Sequence, residues 1–133
     1  MMISTKGRYA LRVMLDLAQN KSKEYVSLTE ISERQGISVK YLELVVSILN
    51  RAGYVNSMRG KNGGYKLSRA PEDYTVGAIL KLTEGNLSPV NCLNNGVSEC
   101  KNSDVCLTLP LWKELDNIID GYLENVTLRD LIK

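Results

Sequence analysis

The sequence predicts a mainly α fold of the α+β kind, built from short helices, one two-stranded hairpin and a long C-terminal helix. Three observations carry that expectation. Apolar residues recur at helical spacing in the first twenty residues, again on both sides of Gly36, and once more from Leu111 to Tyr122. A single pair of β-type runs, Tyr54-Val55-Asn56-Ser57 and Gly64-Tyr65-Lys66-Leu67-Ser68, brackets the turn dipeptide Asn62-Gly63. The chain of 133 residues suits one domain, or a small domain with an appendage.

The elements follow in order. Thr5 to Gln19 is expected as a helix with Thr5 as its cap and Ala10, Leu11, Met14, Leu15 and Ala18 on one face. A polar loop, Asn20 to Lys23, leads to a short extended stretch at Tyr25-Val26. Ser27-Leu28-Thr29-Glu30 has the spacing of a capping box and opens a short helix ending near Gln35. Gly36 supplies the positive φ of a tight turn, Ile37 plugs it, and Ser38 caps a second helix that Gly53 stops. On that helix Tyr41, Leu42, Val45, Val46 and Leu49 form the apolar stripe, while Ser38, Lys40, Glu43 and Ser47 lie off it. A short helix, a glycine turn and a longer helix with a polar leading face describe a helix-turn-helix.

The hairpin sharpens this reading. Met58-Arg59-Gly60-Lys61-Asn62-Gly63 joins the two strands with two basic residues and several glycines. A basic, glycine-rich hairpin directly after a helix-turn-helix is a wing, able to bring its backbone and its charges close to a phosphate or a minor groove. Residues 1–70 therefore form a winged helix-turn-helix segment. Residues 71–133 hold the rest: a break at Ala70-Pro71, a helix capped by Thr75 with Val76, Ile79, Leu80 and Leu82 inward, and a long polar stretch from Asn86 to Thr108. A helix then starts near Pro110, with Leu111, Leu115, Ile118, Ile119 and Tyr122 in one stripe broadened by Trp112 and Leu123, and Leu128, Leu131 and Ile132 make a last apolar turn. The long helix has more apolar surface than one small winged helix covers, so a homodimer paired through it is expected.

Charge supports a polyanionic partner. The chain is nearly balanced at +2. Residues 1–70 nevertheless carry 12 basic and 5 acidic residues, a net of +7, while residues 71–133 carry a net of −5. Double-stranded DNA is the expected partner. A winged helix used for protein contact is the rival, and the basic wing argues against it. With no histidine in the chain, the usual general base is missing, and neither a glycine-rich phosphate loop nor a paired-carboxylate motif appears, so an enzyme is not expected. No apolar run approaches the ~20 residues that cross a bilayer. The N-terminal residues show no apolar signal core either, so a cytoplasmic protein with reduced thiols is expected.

All three cysteines lie in one late segment, Cys92, Cys100 and Cys106. Thiolates in an irregular loop suit an iron–sulfur cluster. Zinc fits less well because a fourth cysteine or histidine is lacking. A thiol switch needs only two neighbouring cysteines and stays open, as does a loop of unligated thiols.

Several stretches together carry a family resemblance: Tyr9-Ala10-Leu11-Arg12, Glu30 through Ser38, Tyr41-Leu42-Glu43, Leu49 through Gly53, Arg59 through Tyr65, Thr75-Val76-Gly77 and Glu84-Gly85. With the three-cysteine loop they resemble the Rrf-two family of bacterial winged-helix repressors, in particular its iron–sulfur cluster regulator (IscR) branch, over nearly the whole chain. Other branches sense nitric oxide or cysteine supply. The resemblance implies a homodimer joined through the late helix and operator binding by the second helix of the motif and the wing. It carries DNA contacts onto Ser38, Lys40, Tyr41, Glu43, Arg59, Gly60 and Lys61. It also implies a two-iron two-sulfur cluster on Cys92, Cys100 and Cys106. This chain departs from the branch at three places. Leu44 replaces a common glutamine, the first cysteine gap is two residues longer, and Leu109 stands where a histidine often follows the last cysteine. A carboxylate that some relatives recruit from the partner's first helix corresponds to Arg8. The fourth ligand is then Asp104, Glu99 or an exogenous thiol. The alternative is a winged-helix regulator without a cluster, controlled by thiol oxidation or by a partner protein of cysteine metabolism.

Overall fold

The computed structural model describes residues 3–20, 24–96 and 106–132. Helix α1 (Thr5–Gln19) is capped by Ser4, not Thr5: the Ser4 hydroxyl accepts from the Gly7 amide at 3.1 Å, because Ser4 is the last extended residue and Thr5 is already helical. The buried face of α1 is also turned from the expected one. Ala10, Val13, Met14, Leu17 and Ala18 are buried, whereas Leu11 and Leu15 are half-buried. The sequence shows two overlapping apolar stripes on this helix. The wider one enters the core, and Leu11 also packs on a small second cluster of Val76, Leu80 and Leu87.

Helices α2 (Leu28–Gln35) and α3 (Val39–Arg51) form the helix-turn-helix. Ser27 accepts from the Glu30 amide at 3.2 Å, and the Ser27 hydroxyl also lies 3.3 Å from the Glu30 carboxylate. Gly36 has φ 66°, the left-handed turn the sequence calls for, and Ile37 is buried beneath it. Ser38 caps α3 by accepting from the Tyr41 amide at 3.2 Å. A buried polar lock holds α1 to α2. Asp16 is 2% exposed and receives Arg34 Nε at 3.0 Å, Arg34 Nη2 at 2.8 Å and Gln35 Nε2 at 3.0 Å. The fork geometry of the guanidinium fixes orientation as well as distance. The hydrogen bonds it donates to Asp16, with the charge of that carboxylate, hold the Arg34 guanidinium above its ordinary pKa.

Strands β1 (Val55–Met58) and β2 (Gly64–Leu67) pair antiparallel, from Val55 opposite Leu67 to Met58 opposite Gly64. Val26 bridges Tyr65 through two 2.8 Å hydrogen bonds, so the expected extended stretch is a single isolated bridge onto the two-stranded sheet. The left-handed positions of the hairpin are Gly60 and Gly64, rather than the Asn62-Gly63 pair. Gly64 sits where a Cβ would lie 2.2 Å from the Val26 carbonyl oxygen, so the close approach of Val26 itself requires a glycine there. The wing's exit is tied by buried Tyr74, whose hydroxyl donates to the Tyr54 carbonyl at 2.7 Å and accepts from the Ser68 and Arg69 amides at 3.0 Å.

A one-turn helix at Pro71–Asp73 precedes α4 (Val76–Glu84), capped by Thr75 through the Ala78 amide at 3.0 Å. Another turn covers Asn91–Gly96. Helix α5 (Leu109–Glu124) and the short α6 (Leu128–Leu131) complete the chain, the latter closed by a Thr127–Asp130 capping box. Tyr74, Ile79 and Leu128 join residues of α1 and α3 in the main core, so residues on both sides of position 70 share it. Helix α5 is tied to α4 by Lys81, whose ammonium lies 2.6 Å from Asp120 and 3.0 Å from Glu124. Its pKa is raised by the hydrogen bonds to Asp120 and then Glu124. The outer stripe of α5 remains open: Leu111, Leu115, Ile118 and Tyr122 are 58, 36, 61 and 68% exposed. Ile119 and Leu123 are half-buried and, with Ile3, Leu80, Ile118 and Tyr122, line a groove of about 360 Å³.

Candidate nucleic-acid interface and cysteine segment

Helix α3 is anchored by buried Leu42, Val45, Val46 and Leu49. Anchoring those positions fixes what the opposite side presents. Lys40, Glu43, Leu44 and Ser47 are exposed and spaced i, i+3, i+4 and i+7, so they share one outward face. Ser38 is exposed at the head of that face with its hydroxyl engaged as the cap. Tyr41 is half-buried, its ring edge-on to Tyr9 with centroids 5.2 Å apart. Its ring therefore packs on Tyr9 of α1. Arg12 stacks on the other partner, 5.5 Å from the Tyr9 centroid, and donates Nε to Gln35 Oε1 at 3.1 Å. This packs the start of α3 on α1 and the end of α2.

Arg59, Gly60 and Lys61 are exposed at the tip of the wing, as the sequence predicts. Lys66, at the wing's base, is placed differently: its ammonium lies 3.9 Å from Glu24 and 4.9 Å from the Tyr25 ring centre. Arg59 and Lys61 at the tip and Lys40 on α3 are exposed, whereas Lys66 is engaged at the base. Two features escape the sequence reading. The Asp16–Arg34–Gln35 lock joins residues 18 and 19 positions apart, and no local signal marks such a pair. Leu44 is 51% exposed in the middle of a polar face, and its spacing from Lys40 is the signal that could have placed it there.

Cys92 and Cys106 are free, half-buried thiols; Cys100 lies outside the described residues. Cys92 belongs to the turn Asn91–Gly96, which is held by buried Leu93 and by the Ser88 hydroxyl donating to the Leu93 carbonyl at 2.9 Å. Cys106 precedes the N-terminus of α5. Its Sγ is 3.3 Å from Thr108 Oγ1, and this contact, then the backbone amides of Thr108 and Leu109, lower its thiol pKa. The thiolate form favoured there is the form that ligates iron. Thiol chemistry suits a cluster, but among the described residues no group of three or more potential metal ligands comes together. Leu109, in the histidine position of the resemblance, is buried and apolar, and Arg8 is exposed with Nη2 donating to Thr5 Oγ1 at 3.1 Å. Neither supplies a further ligand. Among the described residues no helix is long and apolar enough to cross a membrane.

Comparison with known proteins agrees with this arrangement. The Rrf2 family model, described as an iron-dependent transcriptional regulator, matches residues 3–133. The HTH-type transcriptional regulator IscR of Vibrio atlanticus is 41% identical over 133 residues, spanning all of this chain and 76% of its own. The structure of T. potens IscR superposes with a TM-score of 0.78 at 37% identity, covering 98% of this chain and 85% of that one. CymR, the global cysteine regulator of B. subtilis, gives a TM-score of 0.77 at 36% identity, covering 98 and 95%.

Proposed function

Since the chain belongs to the Rrf2 family of DNA-binding transcriptional regulators, we propose that it works as a homodimeric repressor whose operator binding responds to an iron–sulfur cluster on its cysteine segment. The outward face of α3 reads the major groove with Lys40 and Glu43, Ser38 and Tyr41 stand at its head, and Arg59, Gly60 and Lys61 bring the wing against the backbone or the minor groove. Residues 1–70 carry the reading surface, and residues 71–133 carry the cysteines and the pairing helix. The single observation behind this reading is the pairing of an exposed polar α3 face with a charged wing tip, both held on one core by the Asp16 and Tyr74 locks.

The open α5 stripe of Leu111, Leu115, Ile118 and Tyr122 is the surface a second copy covers. Two copies related by a two-fold axis place two α3 helices on a two-fold operator about one helical turn, ~34 Å, or a multiple apart. Cys92, Cys100 and Cys106 would hold the cluster, with Asp104, Glu99 or an exogenous thiol completing it. Bound there, the cluster supplies a group whose assembly and loss follow iron and oxidant. The chain's own contribution is to present thiolates between α4 and α5, the helix that pairs the protomers.

Anaerobic purification followed by iron and sulfide assays and visible spectra tests the cluster. Cys92→Ala, Cys100→Ala and Cys106→Ala should each abolish it, and operator affinity should differ between loaded and unloaded protein by ~1–3 kcal/mol, as coupled sites do. The likeness to the cysteine regulator CymR favours a second reading, in which thiol oxidation or a partner protein of cysteine metabolism controls the same DNA-binding surface. Iron and sulfide staying absent while mild oxidant shifts DNA affinity would select that reading. Failure to bind any duplex at low salt, loaded or unloaded, would reject both.

A further inference from the structure

We infer that Leu44 reads a base: its exposed side chain selects thymine in each half-site by packing on the 5-methyl group in the major groove. The inference rests on the assignment of α3 as the recognition helix. Lys40, Glu43, Leu44 and Ser47 share the outward face of α3, and Leu44 lies near its middle with 51% of its surface exposed. The opposite face is closed by Leu42, Val45, Val46 and Leu49, each no more than 1% exposed, so the helix cannot roll to bury Leu44 within its own chain.

Leucine carries neither donor nor acceptor. Set against the ring nitrogens, exocyclic amines or carbonyls of a base edge, it would strip water from a polar group and return nothing. Of the groups that distinguish base pairs in the major groove, the thymine methyl is the apolar one. Of the other apolar side chains on α3, Ile48, one turn on from Leu44, is half-buried. Tyr41 is half-buried with its ring against Tyr9. Val39, 38% exposed, lies five residues back, about 140° round the helix from Leu44. Glu43, beside Leu44, can accept from a cytosine amine. The two adjacent side chains thus answer different groups, and Leu44 supplies the preference that a charge cannot.

Burying one methyl is worth about fourfold in affinity, and a symmetric operator repeats the contact, so removing both methyls should cost about fifteenfold. The experiment uses the full chain, purified anaerobically, and duplexes selected from a random library. Each thymine in the selected site is replaced by uracil, which removes only the methyl, and dissociation constants are measured for wild type and Leu44→Ala. One thymine per half-site should show the loss with wild type, and Leu44→Ala should bind the thymine and uracil duplexes equally. Uracil also alters duplex stiffness, but that effect is the same for both proteins, so the difference between them isolates the contact. Leu44→Ala changes an exposed side chain, and an unchanged thermal melt confirms its fold.

If wild type selects duplexes and Lys40→Ala weakens them, yet no thymine methyl is coupled to position 44, Leu44 is a solvent-facing leucine and the inference is overturned alone. If wild type selects no duplex, the recognition-helix assignment falls, and the inference with it.

Discussion

Replacing Ile118 by lysine should convert the protein to a monomer without unfolding it. Ile118 is 61% exposed in the isolated chain, so within one protomer the lysine can extend into water. At a two-fold seam the same residue is covered. Fully burying an isoleucine is worth ~1.5–3 kcal/mol, and the portion still exposed therefore amounts to about 1–2 kcal/mol per copy. A two-fold axis counts it twice, about 2–4 kcal/mol, before the cost of an unpaired ammonium at the seam is added. At 1.4 kcal/mol per tenfold, dimer dissociation should rise by at least about 30-fold and up to about 1,000-fold. Sedimentation equilibrium across a concentration series measures this directly, and urea unfolding monitors the fold. Ile119→Lys is the informative contrast: both residues line the groove with Ile3 and Leu80, but Ile119 is half-buried where Ile118 is exposed, so it should lower unfolding stability as well. An Ile118→Lys protein that remains dimeric and binds duplex normally would refute the seam.

Other perturbations separate the remaining roles. Arg59→Ala should weaken duplex binding; a loss uniform across sequences, with the salt slope reduced by about one, marks a phosphate contact, while a loss concentrated on narrow-groove sites marks minor-groove entry. Glu43→Ala should bind a wider set of duplexes at equal or greater strength, because a carboxylate on a reading face repels phosphates and mainly rejects sites; uniform weakening on every selected duplex would make it a positioning residue instead. Asp16→Ala removes the acceptor of three hydrogen bonds from Arg34 and Gln35. Because the Arg34 side chain is 37% exposed and can turn to water, the loss in urea unfolding should be ~2–3 kcal/mol, at or below the lower end for fully buried pairs. A loss under ~0.5 kcal/mol, typical of surface changes, would show that the lock is incidental.

Features written locally in the sequence are the ones that were legible. Ser27, Ser38 and Thr75 cap the helices they precede, and Gly36 turns between α2 and α3, because a cap or a left-handed turn is decided within four residues. The wing's strands lie within a residue of expectation at each end. Local ambiguity explains the misses. Ser4 and Thr5 are both good caps, and which one serves depends on where the extended segment ends; Glu84 decides it by accepting from the Ser4 amide at 3.1 Å. The α1 face is set by what packs on it, and both candidate stripes are apolar. Asn62-Gly63 is a strong turn signal, yet the approach of Val26 to Gly64 and the length of the loop move the left-handed positions to Gly60 and Gly64. Long-range features, the Tyr74 hub and the Asp16 lock, leave no local trace. On the exposed side of α3 the sequence marks the polar residues, and the resemblance marks position 44; the packing of Leu42, Val45, Val46 and Leu49 shows that Leu44 shares the polar face.

The connections around the cysteine segment constrain how it can act on DNA. Within one protomer α4 is fastened at both ends: Glu84 accepts hydrogen bonds from the amide and hydroxyl of Ser4 ahead of α1, and Thr75 Oγ1 donates to Glu124 of α5 at 3.1 Å. Gly7 and Gly77 let α4 approach α1 and α5 so closely that a Cβ at either would lie 2.4 Å from a glutamate oxygen. Cys92 follows α4 and Cys106 precedes α5, so on the proposed reading a change in cluster content acts first on this braced body and reaches α3 only through its contact with α4. A braced, closely packed unit transmits displacement as a rigid piece. In the proposed dimer the interface with freedom to reset would then be the open stripe of α5, where a few degrees between protomers would change whether two α3 helices meet two grooves together. On the proposed reading, the Ile118→Lys monomer should therefore lose the dependence of DNA affinity on cluster content, even on a single half-site it still binds. A monomer that keeps that dependence would place the response inside one protomer, along α4 and its contact with α3.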